Sequence, residues 1–516
     1  MSTAPGPLIL TGSTLALDDV VRYARTPGLT LALDPGALAA LAESRGLVER
    51  AIASGASLYG INTGFGKLAN VRIDAASLDQ LQLNLIRSHA AGVGEPLPPA
   101  IVRAMLLLRA NVLLRPTSGV RPALVEGLVA LANAGIVPVV PEQGSVGASG
   151  DLAPLSHLAL ALIGEGEVLT PEGGREPAGA ALARHGLAPV RLAPKDGLAF
   201  INGTQAQTGV LALVVHDAWV LWRTAVAAAA LSLEALRGTP TPLDPRIHAA
   251  RPHAGQLRAA ALMRALLDES EIRESHREND PRVQDAYSLR CSPQVLGAVA
   301  DAIRFAETTV SVELNASTDN PLVFPDGAVL SGGNFHGQPV AQALDVLAIA
   351  LTTLQALAER RVERLVNPDL SQGLPAFLTP NAGLQSGFMM VQITAASLVA
   401  ESRTLAYPAS IGSIPTDANQ EDFVPMGMAA AFKTRRILGN AASVVAAELL
   451  CGAQGLEFHR PLRGGRGVER LYAAVRTGPF AVAPLVADRP PGPDLALVST
   501  GVLAGAYDPG APEEAS

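Results

Sequence analysis

Cysteine is nearly absent: Cys291 and Cys451 are the only two in 516 residues, far apart and without metal-type spacing. That excludes a disulfide framework and a structural zinc site, and it makes a reducing compartment, the cytoplasm, the expected one. Aromatic residues are scarce at 4%, although 48% of the chain is apolar. The apolar share is therefore mostly Ala, Leu and Val, which suits closely packed helices better than a β-sandwich. Charge is sparse too, at 17%. A surface so poor in charge points to faces buried between subunits. There is no basic excess, because 39 Lys and Arg stand against 47 Asp and Glu for a net charge of -8. That argues against a nucleic-acid partner. No basic start precedes an apolar run in Met1 to Leu10, so no signal peptide is expected. No repeat of 20–50 residues is visible, which disfavours a solenoid.

What is present is long helical periodicity. The spacing predicts a helix over 35–53, then others near 75–91, 98–114, 121–134 and 155–164. Longer segments follow near 205–237, 255–268, 292–317, 338–366, 384–406 and 419–455, and long helices of this kind lie side by side in bundles. Thr208 to Leu236 is the most apolar stretch, but it carries His216, Asp217, Arg223 and Glu234. It reads as a buried helix, not a membrane span. Strand signals are short: Leu8-Ile9-Leu10, Leu29-Thr30-Leu31, Glu167-Val168-Leu169 and Ala328-Val329-Leu330. The expected architecture is all-α, a long-helix bundle with a smaller mixed N-terminal region. The expected divisions are 1–205, 206–486 and a Pro/Gly-rich tail over 487–516, mobile at its very end.

Two stretches break the helical pattern. Tyr59-Gly60-Ile61-Asn62-Thr63-Gly64-Phe65-Gly66 has three glycines and must be a loop. Gly144-Ser145-Val146-Gly147-Ala148-Ser149-Gly150-Asp151 is the second. It reads as a glycine-rich turn ahead of a helix capped by Asp151. It is not a phosphate loop, since no Gly-Lys-Ser/Thr follows. It also permits chemistry. In a tight Ala-Ser-Gly turn the Gly150 amide nitrogen can be pressed against the Ala148 carbonyl carbon, because both flanking residues are small. Ring closure with loss of two waters, one from the Ser149 hydroxyl, leaves an exocyclic methylene, a strong electrophile made without an external cofactor.

The run from Gly144 through Asp151-Leu152-Ala153-Pro154-Leu155-Ser156-His157 closely resembles the signature of the aromatic amino acid ammonia-lyase and aminomutase family. The resemblance continues at Tyr59 to Gly66, Leu198 to Gln205, Gln284 to Cys291, Ser331 to His336 and Ala418 to Asp422. It implies a fumarase/aspartase-like helical fold. It also implies a 4-methylidene-imidazol-5-one built from Ala148, Ser149 and Gly150, with no metal and no external cofactor. A homotetramer with sites assembled from several subunits, acting on a small amino acid, is implied as well; nucleic acid and membrane are not expected partners. By the same resemblance Tyr59 is an acid/base group. A free tyrosine has a pKa of about 10, so a base role requires a depressed value. Asn202 contacts the ring and the substrate amine. Tyr287 and Arg290, three residues apart, face one side of a helical turn, and Arg290 offers a planar fork to a carboxylate. Gln284 and Asn334 are polar orienters, and Phe335 is a packing wall.

Substrate choice is read from three further positions. His89, in Ser88-His89, resembles the histidine-directed branch and can exchange hydrogen bonds with an imidazole. Glu421, after Asn419-Gln420, resembles the same branch; its carboxylate complements an imidazole or amine and can accept a proton. Met389 stands where ergothioneine-cleaving relatives carry lysine. The expected reaction is elimination of ammonia from L-histidine to trans-urocanate. Lyase or aminomutase action on tyrosine, phenylalanine or a histidine analogue is the alternative. The chain departs from the histidine-type pattern at Phe423 and Pro425, at Gly337-Gln338, and at Ala286 in place of Pro.

Overall fold

The computed structural model describes residues 6–54 and 59–510. The start of the N-terminal stretch and the acidic end of the tail, with Glu513 and Glu514, lie outside the described residues. The chain is predominantly helical, as its composition implies, and divides into two compact units, neither contiguous in sequence. Unit 1 comprises Met1–His216, Ala306–Asp345 and Pro408–Phe432; unit 2 comprises Asp217–Phe305, Val346–Tyr407 and Lys433–Ser516.

Unit 1 contains the short strands. Leu8–Leu10 pairs in parallel with Leu31–Leu33, and Val93–Pro96 pairs antiparallel with Pro141–Gln143. Val137–Pro138, Glu167–Leu169 and Arg175–Pro177 form a three-stranded antiparallel sheet. The helix Pro35–Ala53 begins where expected, because Asp34 accepts from the Ala37 amide at 2.8 Å and Pro35 occupies the first turn. Pro99–Leu113 is buried almost along its length, Arg103 and Arg109 included.

Unit 2 is a bundle of long helices locked by buried polar bonds. Its main members are the helices Gln205–Ala235, Ser292–Glu313, Gln338–Val366, Met389–Leu405 and Gly427–Glu457, most of whose length lies in this unit. Trp222 Nε1 donates to the Leu296 carbonyl at 2.7 Å. Arg361 meets Glu448 at 2.5 and 2.8 Å with both side chains fully buried, and Ser232 Oγ donates to the same carboxylate at 2.7 Å. Removing one partner of such a pair costs about 3–5 kcal/mol, because the other charge stays buried. Small residues let the helices approach: a Cβ added at Gly452 would lie 2.9 Å from Leu231 Cγ. Three of the long helices are long and apolar enough to cross a membrane, and their most apolar stretches are largely buried inside the protein. The Pro/Gly-rich segment after 487 holds more order than its composition implies. Pro491–Leu503 is a helix with proline in its first turn, and Arg489 ties to Asp494 at 2.9 Å.

Candidate active site

Ala148-Ser149-Gly150 forms a tight turn ahead of the helix Leu152–Leu162, and bridge pairing brings residue 148 beside residue 150. Gly150 adopts φ +73° and lies directly against Gly203, where an added Cβ would collide with the Gly203 backbone. Only glycine fits both demands. The turn is anchored from outside. Gly337 N donates to the Gly147 carbonyl at 3.0 Å, and Met426 N to the Val146 carbonyl at 2.9 Å. Asp151 N donates to the Gly203 carbonyl at 2.7 Å. The Asp151 carboxylate accepts from the Ala206 and Gln207 amides at 3.0 and 2.9 Å, at the N-terminus of the helix Gln205–Ala235. Ser145 Oγ and Gln207 Nε2 complete its shell at 2.9 and 3.1 Å. Burial pushes the Asp151 carboxyl up to about 6 against the downward pull of these hydrogen bonds. The turn therefore fits the proposed prosthetic group: small flanks, a left-handed glycine and rigid anchors on both sides.

One cavity of about 440 Å³ opens onto Ser149 within unit 1, and Tyr59, His89, Asn202 and Glu421 line it as well. Ser149 Oγ donates to Glu421 Oε1 at 2.5 Å, and Asn202 Nδ2 donates to the Ser149 carbonyl at 2.6 Å. Asn202 follows the short helix Asp196–Ile201, and the buried Arg109 guanidinium holds the turn by donating to the Ala199 and Asn202 carbonyls. Glu421 is presented by a narrow turn in which Thr416 and Glu421 pair, with Thr416 Oγ1 donating to Glu421 Oε2 at 2.6 Å. Asp417, Ala418 and Asn419 inside that turn all have positive φ, an uncommon run for residues with side chains.

Tyr59 OH accepts from the Gly66 amide at 3.4 Å. Burial raises its pKa, the Gly66 bond lowers it, and the Asp417 and Glu421 carboxylates raise it further. This direction is opposite to the depressed value that a resting base requires. His89 ends the helix Leu78–His89, and its Nδ1 lies 2.9 Å from the Leu85 carbonyl.

The remaining expected residues are placed differently. Gln420 and Asn334 are in unit 1 and exposed, and Asn334 Nδ2 donates to the Ser317 carbonyl at 3.2 Å. Phe335, next to Asn334 in sequence, is half-buried. Gln284, Tyr287, Arg290 and Met389 belong to unit 2. There Arg290 donates to Gln284 Oε1 and lies 4.6 Å over the Tyr287 ring, as their spacing implies. Gln284 and Arg290 line a second cavity of about 620 Å³. Met389 begins the helix Met389–Leu405.

Two departures from the histidine-type pattern make defined local contacts. At Gly337 an added Cβ would collide with the Gln207 amide that supports Asp151. Phe423 stacks with His336 at 6.1 Å, and His336 Nε2 donates to the Phe423 carbonyl at 3.2 Å. The sequence reading passed over Leu81 and Asn84, which line the cavity with Leu85 and Ser88. Their spacing of three, four and seven residues marks one helix face and was a usable signal. Asp417 was missed because a left-handed turn of non-glycine residues leaves no mark in a sequence. Among the described residues no group of three or more His, Cys, Asp and Glu side chains is placed to hold a metal.

The profile of the family described as aromatic amino acid lyase matches residues 15–477. The histidine ammonia-lyase of Koribacter versatilis is 51% identical over 496 residues, covering 93% of this chain and 94% of that protein. The crystal structure of histidine ammonia-lyase from Trypanosoma cruzi superposes with a TM-score of 0.89 at 43% identity, covering 98% of this chain and 96% of that one. That of tyrosine aminomutase from Streptomyces globisporus gives 0.91 at 39% identity, covering 97% of each. With the loop, its anchors and the cavity agreeing with a match over most of its length, the chain belongs to the aromatic amino acid lyase family.

Proposed function

We propose that this chain is a histidine ammonia-lyase, a carbon–nitrogen lyase that converts L-histidine to trans-urocanate and ammonia. The observation that carries the reading is the single cavity lined by Ser149, Tyr59, His89, Asn202 and Glu421 together. The names of the relatives support the choice of histidine. Ala148, Ser149 and Gly150 would form the 4-methylidene-imidazol-5-one, with Asn202 holding the carbonyl oxygen of position 149. When formed, that group supplies an electrophilic carbon that needs no external cofactor.

The chain's own residues do the rest. Elimination requires removal of a weakly acidic β-proton and departure of the amine. Glu421, 2.5 Å from Ser149 Oγ, is placed to accept a proton at this point of the cavity. Tyr59 enters protonated. The ammonium of an arriving amino acid brings positive charge close to the phenol, which lowers its pKa and lets it share the proton transfer. His89 meets the imidazole. Arg290, oriented by Gln284 and Tyr287, is assigned the substrate carboxylate. Asn334 and Gln420 orient polar groups, and Phe335 and Met389 shape the apolar side. The working form is a homotetramer whose sites draw on several subunits, acting in the cytoplasm.

A substrate panel tests the reading. Purified protein with L-histidine, L-phenylalanine or L-tyrosine is followed by the ultraviolet absorbance of the unsaturated acid. Urocanate from L-histidine is expected. Cinnamate or coumarate without urocanate would overturn the assignment.

A further inference from the structure

The His89 ring is tied to its own helix at one nitrogen only. Nδ1 lies 2.9 Å from the Leu85 carbonyl, one turn back, and 3.0 Å from Ser88 Oγ. A carbonyl has no proton to give, so the contact with Leu85 is a hydrogen bond only when Nδ1 carries the proton. Ser88 points the same way. Its own proton goes to the Leu85 carbonyl at 3.1 Å, which leaves its lone pairs facing Nδ1. The Nδ1–H thus has two acceptors, and two side-chain donors converge on the Leu85 oxygen. In a neutral imidazole a proton on Nδ1 leaves a lone pair on Nε2. Nε2 makes no hydrogen bond among the described residues, and both Ser88 and His89 line the cavity that holds Ser149 and Glu421.

We infer that Ser88 is a positioning residue: with the Leu85 carbonyl it fixes His89 in the Nδ1–H tautomer, so that Nε2 faces the cavity as a hydrogen-bond acceptor and the site selects amino acids whose side chain brings an N–H or O–H donor. Glu421 and Asp417 line the same cavity and add carboxylate acceptors to it. An imidazole N–H meets the acceptor; a phenylalanine ring does not. The choice of ligand rests on the ammonia-lyase reading, whereas the tautomer rests on the helix geometry alone.

The direct test is nitrogen NMR of sedimented, 15N-histidine-labelled enzyme at a pH where imidazole is neutral. The His89 signals are assigned by their loss in His89→Gln. A protonated Nδ1 and a bare Nε2 are expected; a proton on Nε2 would overturn the inference. Kinetics test Ser88 itself. Ser88→Ala raises KM for L-histidine about fivefold with kcat nearly unchanged, the loss of one hydrogen bond of ordinary strength, and Ser88→Thr restores it. An unchanged KM in Ser88→Ala, or no rescue by Ser88→Thr, would remove Ser88 from the role. An enzyme inactive on every amino acid but with protonated Nδ1 would defeat the proposed function, not the tautomer. Active enzyme with protonated Nε2 would do the reverse.

Discussion

Ser149 Oγ donates to Glu421 Oε1 at 2.5 Å across 272 residues of sequence. The bond belongs to the chain before ring formation, which removes the Ser149 hydroxyl; Thr416 Oγ1, donating to Glu421 Oε2 at 2.6 Å, keeps the carboxylate beside the loop without it. Glu421→Gln keeps the shape and removes the proton acceptor. Its kcat on L-histidine is expected to fall by about 10²- to 10⁴-fold, the usual worth of a positioned acid or base. Steady-state kinetics decide the matter; a loss under threefold would exclude Glu421 from proton transfer.

Asp417 bears on Tyr59 through charge. Burial is the main cause of the raised Tyr59 pKa, and the Asp417 carboxylate adds to it. Removing that negative charge in Asp417→Asn makes the phenol easier to ionise, so its pKa falls. The limb of the pH–rate profile that reports Tyr59 moves to lower pH, and Tyr59→Phe lacks this limb. A profile identical to that of the parent enzyme would show that Asp417 does not act on Tyr59.

His89→Phe replaces an acceptor in the cavity with an apolar ring. We expect kcat/KM for L-histidine to fall about 10- to 100-fold, with relative preference moving toward L-phenylalanine. Parallel assays on both amino acids read the shift. Unchanged selectivity would take substrate recognition away from this position.

Glu234 predicts a stability effect in unit 2. Burial raises its carboxyl from 4.5 to about 7, against hydrogen bonds from Ser270 Oγ and Gly465 N that lower it. Glu469 pushes it up and Arg273 down. Between these pH values the native state holds a proton that the unfolded chain has lost. The stabilisation is complete below about 4.5 and disappears as pH rises through about 7, a change on the order of 3 kcal/mol. Glu234→Gln lacks that slope. Urea midpoints from pH 4.5 to 7.5 for both proteins test this, and parallel curves would refute it.

Much of this was legible in the sequence. Long helices follow from Ala- and Leu-rich periodicity, and the segment 205–237 became the helix Gln205–Ala235. The loop at Ser149 stood out because a glycine-rich block interrupts those helices, whereas Asn202 and Glu421 came from the family resemblance; Glu421, expected at the start of a helix over 419–455, lies in a turn ahead of the helix Gly427–Glu457. Local order in the tail was not legible, since the cap at Pro491 and the Arg489–Asp494 tie form only once the chain is folded. Nor was the state of Tyr59, which depends on burial and on carboxylates more than 350 residues away. The close approach of Gln207 to Gly337 was hidden for the same reason: steric fit between distant segments has no periodicity.

Intact mass of the purified, active protein tests the central claim most directly. Ring formation at Ala148-Ser149-Gly150 removes two waters, so the protein is expected about 36 Da lighter than its sequence mass, while Ser149→Ala, folded but nearly inactive, lacks the hydroxyl whose loss creates the methylene. Fully active protein at the unmodified sequence mass, or a fully active Ser149→Ala variant, would contradict the account.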